Sequence, residues 1–111
     1  MFDMFGMMGK MKEFQAKLKE AQDNLQYITV SAESGAGLVK ATVNGQRKLL
    51  KIEIDESLMN ANDRDMVNDL VVAAVNNAMQ SAAEKAQEEL KKHTEGLLPN
   101  IPGLDLGSFG L

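Results

Sequence analysis

Three cations share one face of a predicted β-hairpin, and such a group is chemically suited to binding phosphates. The hairpin spans residues 38–54 with Asn44-Gly45 at its tip, because Asn-Gly is the preferred sequence of a two-residue type I′ turn. That turn would pair Ala41 with Lys48 on the apolar side. Side chains alternate along a strand, so the other side carries the cations Lys40, Arg47 and Lys51. A polyanion could bind this face, or it could be only a solvated surface.

The sequence offers no residue set suited to catalysis. His93 is the only histidine and cysteine is absent, so a Ser-His-Asp arrangement or a metal triad has at most one imidazole. With one Tyr and no Trp, a platform for stacking bases is not expected either. We therefore predict a protein that is not an enzyme and holds no cofactor or metal.

Charge is unevenly distributed along the chain. The formal net charge is −4, which argues against strong nonspecific DNA binding, because cations supply most of that affinity. Residues 28–54 nevertheless carry four basic and two acidic groups, whereas residues 55–70 carry one Arg and five acids. A local basic surface can still bind a polyanion if the acids are directed elsewhere.

Length and composition indicate the class of protein. A chain of 111 residues suffices for one domain. The absence of cysteine is compatible with a reducing compartment. The longest apolar run, residues 70–75, is far shorter than the ~20 residues of a membrane helix. We expect a cytoplasmic protein without membrane insertion.

The first 33 residues predict a helix and a strand. Residues 3–27 form the helix, because apolar or small residues recur at alternating spacings of three and four. These seam residues are Met4, Met7, Met11, Phe14, Leu18, Ala21, Leu25 and Ile28. Residues 28–33 alternate apolar and polar, as a strand does. Residues 34–37 are predicted to form a turn and not a nucleotide-binding loop, because no helix follows them. With the hairpin, this gives a three-stranded antiparallel meander.

A second helix is predicted from Asn62 or Asp63 to about His93, which makes it ~45 Å long. Residues 66–79 are apolar nearly all round, which predicts full burial. Two helices with seams that one small sheet cannot cover indicate an interface. A symmetric homodimer is the simplest solution.

These elements make an α+β fold with the order α-β-β-β-α and long flanking helices. Residues 1–95 form this domain, and residues 96–111 are a C-terminal tail that contains Gly, Pro and Leu. A helix cannot continue past Pro99. The apolar residues of the tail either dock onto the body or belong to a mobile segment.

Four sequence blocks, in their order and spacing, resemble the YbaB/EbfC nucleoid-associated proteins. They follow a first helix rich in Met and Lys, and they lie at residues 34–40, 43–45, 52–55 and 69–78. The resemblance implies a tweezer-shaped homodimer with the α-β-β-β-α fold. It also implies a cytosolic bacterial protein that binds DNA and associates with the nucleoid.

The resemblance further implies that the helical arms contact DNA. On this chain the candidates are Lys10, Lys12, Lys17 and Lys19 on the first arm, and Lys85, Lys91 and Lys92 on the second. The second arm departs from the more basic members, since Glu84, Glu88, Glu89 and Glu95 interleave with its lysines.

The leading hypothesis is thus a dimer that contacts DNA phosphates with little reading of bases and acts in nucleoid organisation or gene regulation. The alternative is a protein-binding or chaperone-like adaptor. Its contacts would come from the Met-rich first helix and the apolar tail.

Overall fold

A computed structural model describes residues 4–95 of the chain and confirms the order α-β-β-β-α. The helices are α1, Met4–Asn24, which continues into a short 3₁₀ turn at Leu25–Tyr27, and α2, Arg64–Thr94. The strands are β1, Thr29–Ser34; β2, Val39–Asn44; and β3, Leu49–Ile54. They form one antiparallel sheet with β2 in the centre. The predicted tail at residues 96–111 lies outside the described residues.

The main core lies between α2 and the strands β1 and β2. Alanines recur every fourth residue of α2 as Ala74, Ala78 and Ala82, so they form one stripe, and all three are 0% exposed. Because alanine side chains are short, the helix backbone can approach the sheet closely. The stripe packs on the inward side chains of the central strand, Val39, Ala41 and Val43.

A second, smaller core joins the two helices. Ala21 and Leu25 pack on Leu90 near the end of α2, which ties the C-terminal part of α1 to the C-terminal half of α2. The predicted seam is buried in this region, and Phe14 is also only 2% exposed. Further towards the N-terminus the seam is open, because Met7 and Met11 are 49% and 46% exposed.

The prediction that residues 66–79 are fully buried is wrong for the single chain. Met66 is 48% exposed and Val72 is 60% exposed, because α2 packs against a layer on one side only. Three apolar residues of the edge strand β3 are similarly open, since α2 lies over β1 and β2 and has few contacts with β3. They are Leu49, Leu50 and Ile52, with exposures of 40%, 49% and 38%.

The predicted turn and register of the β2–β3 hairpin are also wrong. The strands are joined by a four-residue loop, residues 45–48, rather than by two residues. Ala41 pairs with Ile52 instead of Lys48, and a bulge interrupts the ladder at Thr42/Val43. The positive φ that the prediction placed at Asn44 and Gly45 occurs at Arg47 instead, with φ +63°.

Asn44 and Gly45 shape this loop through tertiary contacts. The buried Asn44 side chain accepts hydrogen bonds from the backbone N–H groups of Gln46 (2.9 Å) and Lys48 (3.0 Å). The N–H of Gly45 donates to the carbonyls of Leu25 (3.0 Å) and Ile28 (2.9 Å). A Cβ at Gly45 would lie 2.7 Å from the Leu25 carbonyl oxygen. Glycine is therefore required for the close approach of the loop to the end of α1.

We expect Gly45→Ala to lower the free energy of unfolding by about 2–3 kcal/mol, because the opposing atom belongs to the backbone and cannot rotate away. Gly9→Ala is the matched control. A Cβ at Gly9 meets nothing within 4 Å, and alanine is favoured over glycine inside a helix, so this variant should gain ~0.5–1 kcal/mol. Urea unfolding at one protein concentration measures both values. A Gly45→Ala protein as stable as the wild type would contradict the close approach.

Candidate nucleic-acid interface

The predicted cationic face of the hairpin forms only in part, because Lys40 and Lys51 share the outer face of the sheet but Arg47 does not belong to a strand. In the observed register Lys40 lies between Glu33 of β1 and Glu53 of β3. Lys51 Nζ is 3.2 Å from the Glu53 carboxylate, and Arg47 lies in the loop. The shifted register places Glu53 opposite Lys40, and Lys51 has the same carboxylate two residues away on its own strand. The outer face of the sheet therefore carries balanced charge.

The four predicted lysines of α1 are all exposed, but they form two separate pairs. An α-helix advances about 100° per residue, so residues seven apart point almost the same way. Lys12 and Lys19 form an outer lysine pair, roughly opposite the buried stripe of α1. Lys10 and Lys17 form a flanking lysine pair that borders this stripe, about 160° around the helix from the outer pair.

The outer lysine pair has the least competition from acids. Lys17 Nζ lies 3.8 Å from a Glu20 oxygen, and both side chains are more than half exposed, so the interaction is weak. Neither Lys12 nor Lys19 forms an ion pair with any residue that the structure describes. Both ammonium groups are thus available to an anion outside the chain.

The β2–β3 loop packs against the C-terminal end of α1, which follows Lys19 of the outer lysine pair. Gln22 and Asp23 follow Lys19 by three and four residues, so the three share one face of α1. The Gln46 side chain donates to the Gln22 carbonyl at 3.2 Å. Gln22, Asp23 and Arg47 also line a common cleft of ≈ 220 Å³ between α1, the loop and α2.

Arg47 and Lys48 are exposed in this loop, and neither forms an ion pair within residues 4–95. Lys48 is absent from the residues predicted to bind DNA, because the predicted register places it opposite Ala41 on the apolar side. A sequence signal for it exists in the run Gln46-Arg47-Lys48. Three consecutive polar residues after Gly45 fit a longer loop better than the start of an alternating strand.

The predicted cations of α2 have several acidic neighbours, and one carboxylate contacts two of them. Glu89, whose side chain is 18% exposed, lies 3.5 Å from Lys85 Nζ and 4.0 Å from Lys92 Nζ. It also lies 3.7 Å from His93 Nε2. Lys91 is exposed and has no ion pair within the described part of the chain. The second arm therefore offers less free positive charge than the first.

The acidic residues that give the chain its negative total are concentrated at the far end of α2. Asp55 begins this region, and hydrogen bonds from the side chain and backbone of Ser57 hold its pKa below the usual value. Arg64, at the start of α2, is separated from Leu90, which contacts α1, by about 39 Å of helix. Since charges are screened over ~8–10 Å at moderate salt, these acids do not cancel the lysines of α1.

Other kinds of site lack support in the described structure. Within residues 4–95, no group of three or more His, Cys, Asp or Glu is placed to hold a metal ion. No helix in this part of the chain is long and apolar enough to cross a membrane.

The exposed cations on α1 make this α-β-β-β-α fold suited to contact with a polyanion. The model of the YbaB/EbfC DNA-binding family matches residues 1–97, and the chain belongs to this family. The resemblance predicted from the four sequence blocks is thereby confirmed.

Individual relatives agree with this assignment. A nucleoid-associated protein of Chlorobaculum parvum is 45% identical over 92 residues, which cover 83% of this chain and 81% of the relative. A second, from Thermoanaerobacter pseudethanolicus, is 40% identical over 103 residues, covering 93% and 91%. The crystal structure of an uncharacterized protein from Helicobacter pylori has a TM-score of 0.70 at 20% identity, covering 86% of this chain and all of the other. This last likeness supports the fold alone.

Proposed function

We propose that two copies of this chain associate and bind DNA, with the outer lysine pair of each α1 in contact with phosphates. The observation that carries this proposal is the exposure of Lys12 and Lys19 on one face of α1, with no ion pair to another described residue. The two positions are ~10 Å apart along the helix. Phosphates recur every ~3.4 Å along each DNA strand, so each lysine can neutralise its own phosphate.

Binding of this kind reads little sequence. Contacts to phosphates position a protein on the duplex but carry no base information. The lysines stand on the outside of a helical arm, and the chain has neither Trp nor more than one Tyr for stacking on bases. The protein would therefore act along many DNA sites in the bacterial nucleoid, in its organisation or in gene regulation.

Association of two copies is supported by the apolar surface that one copy leaves open. Leu50 and Ile52 lie exposed on the edge strand β3, and Met66 and Val72 lie exposed on α2. Edge strands with exposed apolar residues are prone to pair with another chain. The radius of gyration is 19.6 Å, against about 13 Å for a compact chain of this length. A second copy related by a two-fold axis would cover these residues and double the phosphate contacts.

The experiment is a fluorescence anisotropy titration of a mixed-sequence duplex between ~50 and ~200 mM salt. The two lysines of each copy neutralise four phosphates, which contributes about −3.6 to the slope of log K against log[salt] and predicts a loss of affinity of at least ~10²-fold over this range. Duplexes of scrambled sequence should bind equally well. Absence of binding at ~50 mM salt, or binding that ignores salt, would refute the proposal.

A second candidate function is supported by the N-terminal part of α1. Phe5 is 88% exposed, and Met7, Met8 and Met11 are 46–55% exposed. Flexible Met surfaces can adapt to varied apolar partners, which is the behaviour of a protein-binding adaptor. A pull-down from nuclease-treated lysate separates the two functions, because only the adaptor would retain stoichiometric protein partners without DNA.

A further inference from the structure

Arg47 has a backbone conformation that residues other than glycine rarely adopt. Its φ is +63°, in the left-handed region, where a residue with a Cβ pays a conformational cost. Such strain persists only where surrounding contacts impose it, and it is concentrated at functional positions. The backbone conformation of Arg47 therefore needs a structural cause. The presence of an arginine side chain at this position needs a separate, functional reason.

The structural cause is a set of backbone contacts on either side of Arg47. Its own N–H donates to the Asn44 carbonyl at 3.0 Å, and the N–H of Asn44 donates to the Lys48 carbonyl at 2.9 Å. The Asn44 side chain, 5% exposed, accepts from the residues before and after Arg47. Gly45 fixes the whole loop against the end of α1. The loop is consequently held in one conformation before any ligand arrives.

The side chain of Arg47 has no part in holding this conformation. It is exposed, it has no ion pair with any described residue, and no hydrogen bond from its guanidinium is formed within residues 4–95. Lys48 beside it is equally exposed. Asp23 is the acidic side chain that lines the adjoining cleft, and it forms no ion pair with Arg47. Two adjacent free cations thus stand on a fixed backbone.

We propose that the β2–β3 loop is a second, preformed phosphate-binding element that contacts the DNA backbone beside the outer lysine pair of the same copy. This inference rests on the proposed function. Arg47 presents a planar fork of N–H donors that matches the oxygens of one phosphate, and Lys48 adds a point charge. Because the loop is already ordered, binding loses little conformational entropy. Arg47 shares a cleft with Asp23, which lies ~6 Å after Lys19 along α1, so one DNA strand can reach both cations.

Three substitutions of Arg47 separate its charge from its backbone conformation. Arg47→Asn removes the charge, and asparagine tolerates a positive φ. Arg47→Gly also removes the charge and relieves the strain, so its Tm should equal or exceed that of the wild type. Arg47→Lys keeps the charge without the planar fork. Arg64→Asn is the matched control, because Arg64 is exposed and lies ~28 Å along α2 from Ala83, which lines the cleft.

In the anisotropy titration at ~50 mM salt, Arg47→Asn and Arg47→Gly should both bind about tenfold more weakly than the wild type. Their salt slopes should be shallower by about 2, one lost phosphate contact in each of two copies. Arg47→Lys should recover most of the slope but not all of the affinity. Arg64→Asn should leave both quantities unchanged.

Wild-type affinity and slope in Arg47→Asn would overturn the role of the loop while leaving the proposed function intact, provided that the wild type binds and that Lys12→Gln with Lys19→Gln weakens this binding. Failure of the wild type to bind at ~50 mM salt would overturn both. A purely structural role for Arg47 predicts a changed Tm with an unchanged slope, which also contradicts the inference.

Discussion

Neutralising the outer lysine pair, by Lys12→Gln together with Lys19→Gln, is expected to weaken DNA binding by about two orders of magnitude at ~50 mM salt. The change removes four cations from a dimer, and the salt slope should become shallower by about 3 to 4 units. Glutamine has nearly the helix propensity of lysine, so α1 should remain folded. Anisotropy titration measures the affinity, and far-ultraviolet circular dichroism checks the helix.

The flanking lysine pair provides a control with the same charge change on the same helix. Lys10 and Lys17 border the buried stripe of α1, and Lys17 is within 3.8 Å of Glu20. Because they lie about 160° around the helix from the outer pair, a duplex bound to the outer pair does not reach them, and Lys10→Gln with Lys17→Gln should cost much less affinity. Equal losses in the two double variants would mean that only the total charge of the arm matters, and that the outer pair forms no defined contact.

The positions of the acidic residues explain how a protein with a negative net charge can bind DNA. A net charge of −4 counts acids that lie at the far end of α2 and acids that pair with cations of α2. Glu89 alone lies within 4.0 Å of Lys85, Lys92 and His93. The free charge that remains is concentrated on α1 and on the β2–β3 loop. Local arrangement, rather than the total, determines what a polyanion meets.

The sequence predicted the helices well because their signal is local and long. Alternating spacings of three and four residues placed α1, and α2 was predicted to end at about His93 where the structure ends it at Thr94. The pairing of Glu89 with Lys85 and His93 also follows from spacings of four residues on a helix.

The hairpin failed because its turn is decided by contacts with a distant segment. Asn-Gly satisfies a two-residue turn locally, but Gly45 is held by Leu25 and Ile28, and no local pattern reports these contacts. A register error reverses or displaces side chains along the whole strand. It therefore placed Arg47 on a strand instead of in the loop, left Lys40 without Glu53 as its cross-strand partner, and placed Lys48 opposite Ala41.

The complete burial predicted for α2 does not occur in a single copy of the chain. An all-round apolar helix indicates complete burial, yet Met66 and Val72 are exposed in one copy. Periodicity reports which side chains avoid water but not which chain covers them. The exposed residues are the ones that the proposed second copy would bury, so the failed prediction itself supports association.

Ile52→Lys is expected to prevent the proposed association of two copies and, as a result, to reduce DNA affinity by 10²-fold or more. Ile52 lies opposite Ala41 in the sheet, on the side where α2 packs but beyond the strands that α2 covers. It is 38% exposed in one copy, so a lysine can extend to water without disrupting that copy. Buried against a second copy, the same ammonium would lose its hydration, which opposes association.

The substitution separates dimerisation from charge because the added cation by itself favours DNA. Light scattering at micromolar concentration should give a monomeric mass for Ile52→Lys and a dimeric mass for the wild type, and the salt slope should fall to about half. Thr29→Lys adds the same charge on the exposed side of β1 and should remain dimeric and bind at least as tightly. A dimeric Ile52→Lys protein would exclude β3 from the interface, and a monomeric wild type would remove the reason for bivalent DNA binding altogether.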